Sequence, residues 1–373
     1  MTAGLFKRIE VCKGNKSESL KPLPKSGNVE KGVQTMIRTK LTRRGLLGAT
    51  AAVPMLTILS RRGDAAEFTY KYATGQDPTH PVNIRAQEAI DRIRNATNGR
   101  VDMKLFPANQ LGSDTDLLAQ VRSGGVEFFN LATSILATLV PVAGIVNTGF
   151  AFPDYDHVWK AMDGSLGHHI ADQITKAGLI SPALFWDNGF RQITSSTREI
   201  KVPKDLDGFK IRVPPAPMLT SVFQDLGAGP TPINFNELYS ALQTKVVEGQ
   251  ENPLAITASA RLYEVQKYVS MTGHVWDGYV VLGNRRAWGA LPVDVQAIVS
   301  RELNVSGAQE RADIASLSQS LRADLTTKGM TFLDVDREQF RATLAKTTFY
   351  ADWHAKFGEQ SWSLLEASVG KLG

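Results

Sequence analysis

An arginine near the end of a predicted strand is the residue of this chain best suited to bind an anion. It is Arg212, in the segment GFKIRVP at 208–214, where alternation places Lys210 and Arg212 on the face opposite Ile211. Ligands of open α/β sheets bind beyond the carboxyl ends of strands. A guanidinium is planar, permanently charged and matches a carboxylate with two parallel hydrogen bonds. On composition alone, an ordinary surface or ion-paired arginine is the more common explanation.

Two further polar segments place charged and amide side chains among apolar residues. In WDNGFRQIT at 186–194, Arg191 stands at the start of a predicted buried strand. In the other segment, a predicted helix ends near Gly249 and is followed by a sharp polar corner that contains Asn252. Both side chains have donors for a polar or anionic ligand, and both could instead serve only the fold.

The sequence carries no motif that nominates a catalytic group or a cofactor. It has no GxSxG elbow, no phosphate-binding P-loop, no complete GxGxxG and no HExxH. The six histidines are scattered, and the adjacent His168 and His169 would point about 100° apart on a helix. We therefore expect no enzyme, no cofactor and no metal site.

The first 65 residues have the features of an N-terminal extension followed by an export signal. Arg43 and Arg44 precede an uncharged stretch, and small residues stand before a cleavage position after Ala65. Paired arginines favour the twin-arginine pathway, and an apolar run of about 13 residues is too short to span a bilayer. A short buried helix is the alternative. A signal of ordinary proportions would begin at Met36.

Removal of this leader reverses the net charge. The whole chain has a net charge of +5, but residues 1–65 hold 13 of its 42 basic and 4 of its 37 acidic residues. The remaining 29 basic and 33 acidic residues give −4, so composition gives no support to nucleic-acid binding. The single cysteine, Cys12, also lies in the leader, so a mature chain has no thiol for a disulfide or a nucleophile.

Beyond the leader, strand and helix patterns alternate in two successive units, 68–190 and 190–275. Apolar periodicity predicts these strands: 68–72, 101–105, 126–131, 184–186, 191–194, 209–213, 231–233 and 274–282. It predicts these helical regions: 82–97, 113–124, 155–178, 215–227, 234–249, 290–328 and 336–370. This is the pattern of an α/β fold, and no flexible linker separates the units.

Five segments of the chain form a specific combination: FPANQLG at 106–112, GFRQITSS at 189–196, GFKIRVP at 208–214, PTPINFNELYSALQTKVVEGQENP at 230–253 and YEVQKY at 263–268. Together they resemble the solute-binding proteins of tripartite ATP-independent periplasmic (TRAP) transporters, the C4-dicarboxylate receptor family. The similarity extends from about Phe68 to the C-terminus. It implies an α/β, periplasmic-binding-protein-like fold, with two lobes around a ligand cleft joined by crossing strands and a long helix.

The resemblance also implies roles for three residues. Arg212 would bind the ligand carboxylate with two hydrogen bonds, Arg191 would add a second positive contact, and Asn252 would hydrogen-bond the ligand from the second lobe. We expect lobe I to comprise 66–189 and 278–315, and lobe II to comprise 190–277 and 316–373.

Five other residues are weaker candidates for the ligand wall: Gln76, His80, Asp187, Phe235 and Trp276. Gln76 and His80 follow the first strand, and Trp276 lies where a strand would pass the cleft. Phe235 and Trp276 would favour a ligand with an apolar part. Each has a plainer alternative, because His80 could be a loop histidine, Asp187 a turn residue, and the aromatic residues could belong to the core.

The sequence therefore predicts an exported, periplasmic, monomeric receptor that is neither an enzyme nor a nucleic-acid-binding protein. It would capture a small organic carboxylate by lobe closure and deliver it to the membrane permease subunits of a TRAP-type secondary transporter. One alternative is a secreted hydrolase or lyase on a two-lobe α/β scaffold. Another is a sensor-type receptor that passes its closed state to a signalling partner.

Overall fold

The computed structural model describes residues 66–372. The predicted export signal, its cleavage position after Ala65, the start at Met36 and the single cysteine, Cys12, lie outside the described residues. None of the helices formed by residues 66–372 has the length and apolar character needed to cross a membrane.

The described residues form two six-stranded sheets. The strands are β1 (Phe68–Thr74), β2 (Val101–Phe106), β3 (Phe128–Ala132), β4 (Leu179–Ile180), β5 (Trp186–Phe190), β6 (Gln192–Ser195), β7 (Lys210–Val213), β8 (Gly229–Pro232), β9 (Gly249–Asn252), β10 (Tyr268–Met271), β11 (Trp276–Asn284) and β12 (Thr331–Asp334). The first sheet has the order β2-β1-β3-β11-β4, with β5 also paired to β11, and the second has the order β12-β10-β6-β9-β7-β8.

Helices flank both sheets. They are α1 (Pro81–Ala96), α2 (Asp114–Ser123), α3 (Thr133–Leu136), α4 (Tyr155–Met162), α5 (Ser165–Lys176), α6 (Pro217–Asp225), α7 (Phe235–Gln243), α8 (Leu254–Ser259), α9 (Arg285–Ala290), α10 (Val293–Thr327), α11 (Arg337–Ala345) and α12 (Phe349–Val369). Short 3₁₀ turns cover Pro141–Asn147, Pro203–Leu206 and Leu262–Glu264. Ser113 caps α2 in a reciprocal capping box with Asp116, which satisfies free amides of its first turn.

The chain passes between the two sheets through strands. β1 is parallel to both β2 and β3, and β11 runs antiparallel to β3. β5 belongs to the first sheet and β6, only two residues later, to the second. The return runs from β10 of the second sheet to β11 of the first. The predicted α/β fold with crossing strands is confirmed.

A single long helix, α10, serves both sheets. Its first half places Val295, Val299 and Leu303 in the hydrophobic core of the first sheet. Its second half places Leu321 and Leu325 in a smaller core with β10. The predicted helix over 290–328 is therefore present, as 35 continuous residues.

The predicted strands omit β4, β10 and β12, and two predicted elements near residue 249 differ from the structure. The expected polar corner at 249–252 is wrong, because these residues form β9, a fully buried strand in the middle of the second sheet. The helix before it ends at Gln243, six residues earlier than expected, and Lys245 has a φ of 59°. Because β9 is polar and yet buried, alternation of apolar residues cannot reveal it.

The C-terminal helix packs on both cores. Leu365 of α12 belongs to the core of the first sheet, whereas Trp353 and Trp362 belong to the core of the second. Its assignment to lobe II alone, and the other lobe limits, stay predictions.

The packing of α10 on β5 can be tested at Gly307. A methyl group added there would lie 2.5 Å from Nε1 of the fully buried Trp186, so we expect Gly307→Ala to lower the free energy of unfolding by about 1–3 kcal/mol. Gly289→Ala is the matched control, since no atom lies within 4 Å of the added carbon. Urea denaturation measures both, and equal midpoints would contradict this close packing.

Candidate functional site

Arg212 is a buried cation. It lies on β7, where Ile211 and Val213 are buried and Lys210 is exposed, as alternation predicts. Arg212 itself is only 1% exposed, because β7 is an inner strand between β8 and β9. Its Nε donates a hydrogen bond to the carbonyl oxygen of Ile233 at 2.9 Å.

The charge of Arg212 has no direct carboxylate partner within residues 66–372. Burial lowers its pKa to about 9, although the negative charges of Glu251 and Asp114 act in the opposite direction. The guanidinium thus stays protonated at neutral pH. A buried, unpaired charge is unfavourable, so this position favours an anion supplied from outside the chain.

Arg191 has the opposite environment. Its Nε and Nη2 donate to the two carboxylate oxygens of Glu251 at 2.5 and 2.8 Å, and Nη1 lies 3.2 Å from Oδ2 of Asp277. Burial alone would lower the pKa of Arg191, but Glu251 and Asp277 raise it above its ordinary value. The expected second positive contact is therefore not a free charge, because the protein itself compensates it.

Asn252 lies beside Arg191, and both ends of its side-chain amide are bonded. Its Oδ1 accepts from Nη2 of Arg191 at 3.0 Å, and its Nδ2 donates to Oε1 of Gln250 at 2.5 Å. Gln250 is the residue of β9 that stands in register with Arg212. The structure thus brings the three residues together: Arg212 and Asn252 lie on the neighbouring strands β7 and β9, and Arg191 immediately precedes β6.

Glu251 and Asp277 connect this group to the rest of the protein. Oε2 of Glu251 lies 3.1 Å from Nε2 of His274, and despite burial the charge of Arg191 and the hydrogen bond with His274 hold the pKa of Glu251 below its ordinary value. Asp277, on β11 of the first sheet, accepts hydrogen bonds from the hydroxyl groups of Thr133 and Ser134, each at 2.7 Å. The ion pairs of Arg191 therefore join the two sheets.

Trp276 and Asp187 lie in the core of the first sheet. The Trp276 ring packs edge-on against Phe152 and Trp159, and its Nε1 donates to Oδ1 of Asp187 at 2.9 Å. Both residues are fully buried. Trp276 is thus a core residue, whereas Oδ2 of Asp187 has no hydrogen-bond partner within residues 66–372. Their place in the ligand wall stays a prediction.

Gln76 and His80 lie at the end of β1 and are buried with unpaired atoms. Within residues 66–372, Oε1 of Gln76 and Nε2 of His80 have no hydrogen-bond partner. Nδ1 of His80 accepts from the amide of Val82 at 3.2 Å, so the proton of the neutral ring resides on Nε2. Burial lowers the pKa of His80 to about 4, which keeps the ring neutral.

Sequence reasoning missed two residues of this edge. Tyr279 on β11 and Asn130 on β3 each have a buried oxygen without a partner in the described part of the chain. The His80 and Tyr279 rings meet edge-on, with centroids 6.2 Å apart. Both residues stand among apolar neighbours in the sequence, and alternation alone gives no signal that separates them from core positions.

Phe235 lies where elements of the two sheets approach each other. It lines a cavity of about 190 Å³ with residues that follow β1 and β2, including Asp77 and Asn109. Beside it, the side chains of Asn234 and Thr115 are hydrogen-bonded at 3.2 Å, which joins the loop before α7 to α2. Phe235 therefore faces a cavity between elements of the two sheets, and its contact with a ligand stays a prediction.

The sequence matches the family model "Bacterial extracellular solute-binding protein, family 7" over residues 72–352. The chain belongs to this family. It is 30% identical to the 2,3-diketo-L-gulonate-binding periplasmic protein of Escherichia coli, over 81% of this chain and 91% of that protein. It is 32% identical to an uncharacterised protein of Sinorhizobium fredii, but over only 58% of that longer protein.

A solved structure extends the likeness to the fold. The TRAP periplasmic solute-binding protein of Roseobacter denitrificans, solved with bound L-galactonate, superposes with a TM-score of 0.76 at 31% identity. The match covers 81% of this chain and 99% of that one. Family 7, the Escherichia coli relative and the Roseobacter denitrificans protein are solute-binding proteins of transport systems and not enzymes. The group of three or more His, Cys, Asp or Glu side chains that a metal ion requires does not occur within residues 66–372.

The different environments of the two arginines predict opposite effects on stability. Arg191→Met leaves Glu251 and Asp277 buried without their cation, and we expect a loss of about 3–5 kcal/mol of unfolding free energy. Arg212→Met removes an unpaired buried charge, so the ligand-free protein should lose nothing or become more stable. Urea unfolding, after removal of bound ligand by denaturation and refolding, measures both variants. A loss of similar size in Arg212→Met would show that Arg212 has a stabilising partner.

The buried carboxyl of Asp187 predicts a pH dependence of stability. Burial raises the pKa of Asp187 to about 7, so between about pH 4 and 7 the folded state retains a proton that the unfolded state releases. Stability should therefore fall as pH rises through this window, by at most about 1.4 kcal/mol per pH unit.

Asp187→Asn keeps an acceptor for Trp276 and should reduce this slope in thermal melts from pH 4.5 to 8. Asp172→Asn, at an exposed position of α5, is the control and should leave the slope unchanged. Some slope should persist in Asp187→Asn, since burial, the larger cause, still raises the pKa of Glu310 after the charge of Asp187 is removed. An unaltered slope in Asp187→Asn would rule out titration of this carboxyl.

Proposed function

We propose that this chain is a periplasmic receptor that captures a small organic carboxylate and delivers it to a TRAP-type secondary transporter. The observation that carries the proposal is Arg212, a buried guanidinium with no carboxylate partner in the described part of the chain. A ligand carboxylate would neutralise it and accept two parallel hydrogen bonds from its two free Nη groups. Membership of the extracellular solute-binding family supports the same role.

Capture would proceed by closure of the two lobes over the ligand. Arg212 and Asn252 belong to the second sheet, whereas Gln76, His80 and Tyr279 belong to the edge of the first. A ligand that touches both groups stabilises the closed form by its higher affinity for that form. Exclusion of water then strengthens its charge pair with Arg212. In this proposal Phe235 supplies an apolar side to the ligand, and Arg191 acts by holding Asn252.

Delivery requires partners outside this chain. The receptor would act as a monomer and dock in its closed form on the membrane permease subunits, and an ion gradient would supply the energy. Export would use the twin-arginine pathway, as the sequence of residues 43–44 favours. The sensor-type alternative shares the same pocket but passes the closed state to a signalling partner.

A thermal-shift screen of organic acids tests the class of ligand. Ligands that bind the folded state raise the melting temperature by mass action, so we expect shifts from organic anions and none from neutral sugars or amines. If only neutral sugars or amines raised the melting temperature, the proposal of a carboxylate ligand would be refuted.

The role of Arg212 is tested by Arg212→Lys with the acid that gives the largest shift. A lysine cannot form the paired hydrogen bonds of a guanidinium, and we expect binding to weaken by ~1.5–3 kcal/mol in titration calorimetry. Arg322→Lys, at an exposed arginine of α10 that pairs with Asp334, should bind as the unaltered protein does. An unchanged affinity in Arg212→Lys would remove Arg212 from the anchor role.

A further inference from the structure

Among Arg212, Arg191 and His80, one residue has a positive charge available to a ligand. Arg191 is held by Glu251 and Asp277, and His80 is neutral because burial lowers its pKa to about 4. Arg212 is the remaining cation of this group. A second ligand carboxylate would therefore have no partner of opposite charge among these residues.

Several carboxyl groups already surround this position. The charges of Glu251 and of the buried Asp114 both act on Arg212, and that of Asp114 acts also on Tyr279. Asp277 pairs with the neighbouring Arg191. Asp114 begins α2, and Oδ1 of its side chain accepts from Nδ2 of Asn109 at 2.9 Å. A dianionic ligand would add two negative charges to this region, with one available guanidinium to oppose them.

The first sheet contributes neutral hydrogen-bonding groups at one edge. Gln76 and His80 follow the end of β1, Asn130 stands in register with Thr74 at that end, and Tyr279 pairs with Ala132 at the end of β3. Two hydrogen bonds connect α2, whose Asp114 lies against Gly75 at this edge, to the loop that contacts Arg212. Thr115, next to Asp114, bonds Asn234, and Asn234 follows Ile233, whose carbonyl accepts from Arg212.

The unpaired atoms at this edge offer both acceptors and donors to a ligand. Oε1 of Gln76 and Oδ1 of Asn130 accept, Nε2–H of His80 donates, and the hydroxyl of Tyr279 can do either. An ionised carboxylate only accepts hydrogen bonds, so it could form none with the two amide oxygens, which are also acceptors. A hydroxyl group both donates and accepts, and buried polar atoms left unpaired are costly.

We propose that the ligand is a small hydroxylated monocarboxylate of the aldonic acid type, bound by its carboxylate at Arg212 and by its hydroxyls at Gln76, His80, Asn130 and Tyr279. This inference rests on the proposed function and narrows the ligand within it. A dicarboxylate of equal length is the competing occupant.

Titration calorimetry with two sets of acids of equal chain length separates the possibilities. The four-carbon set is threonate, tartrate, succinate and butyrate, and the six-carbon set is galactonate, galactarate, adipate and hexanoate. In the set whose length fits the site, we expect the aldonate to bind at least tenfold more tightly than the dicarboxylates and the unsubstituted acid.

Two other results have distinct meanings. If succinate, adipate, tartrate or galactarate binds as tightly as the aldonate, the narrower ligand class is wrong while the carboxylate receptor stands. If a folded, ligand-free preparation binds none of the eight acids and no other organic acid shifts its melting temperature, the proposed function itself fails.

Tyr279→Phe tests the hydroxyl contacts independently of the charge. Loss of one hydrogen bond should weaken aldonate binding about fivefold to tenfold and leave the affinity for the unsubstituted acid of the same length unchanged. Tyr350→Phe, which removes a buried hydroxyl bonded to the carbonyl of Gly149 in another part of the fold, is the control and should alter neither affinity. An equal loss for both acids in Tyr279→Phe would indicate a packing effect and overturn the hydroxyl contacts.

Discussion

The ion pair between Arg191 and Glu251, extended to Asp277, is the interaction on which the proposed site depends. It joins the start of β6 to β9 within the second sheet and to β11 in the first. Since all three groups are buried, loss of any one contact leaves a charge with neither a partner nor water around it. The network therefore holds the side chain of Asn252 in place. Because Arg191 already pairs with Glu251, that carboxylate does not require Arg212 as a partner. Arg191 is neutralised by carboxylates of the protein itself. Arg212 has no carboxylate partner within residues 66–372 and is available to a ligand.

Much of the fold could be predicted because its elements follow simple periodicities. The alternation in β7, the capping box at Ser113 and the apolar face of α1 all lie in short stretches whose pattern matches their structure. β9 could not be predicted in this way. It is buried although its residues are Gly249, Gln250, Glu251 and Asn252, and its polar groups are satisfied by partners from β6 and from distant loops. Sequence periodicity reveals a buried strand only where the buried residues are also apolar.

The residues of the candidate site were easier to predict than their roles. Arg212 and Arg191 occur in similar local patterns, each on or beside a buried strand near Gly and apolar residues. What distinguishes them is the placement of Glu251 and Asp277, which lie 60 and 86 residues beyond Arg191 in the chain. Charge compensation is a property of contacts between distant segments, and no local pattern encodes it. The same holds for Trp276, whose packing on Phe152 and Trp159 places it in the core.

The hydrogen bond between Thr115 and Asn234 has a kinetic consequence. It connects α2, which flanks the first sheet, to the loop that precedes α7. In this loop Ile233, the residue before Asn234, accepts the hydrogen bond from Arg212. In a closing receptor a bond such as that between Thr115 and Asn234 forms after the ligand has entered and must break before the ligand leaves. It therefore contributes little to the rate of encounter and much to the lifetime of the loaded state. A lifetime long enough for the receptor to diffuse to its transporter is what distinguishes a carrier from a protein that merely binds its solute.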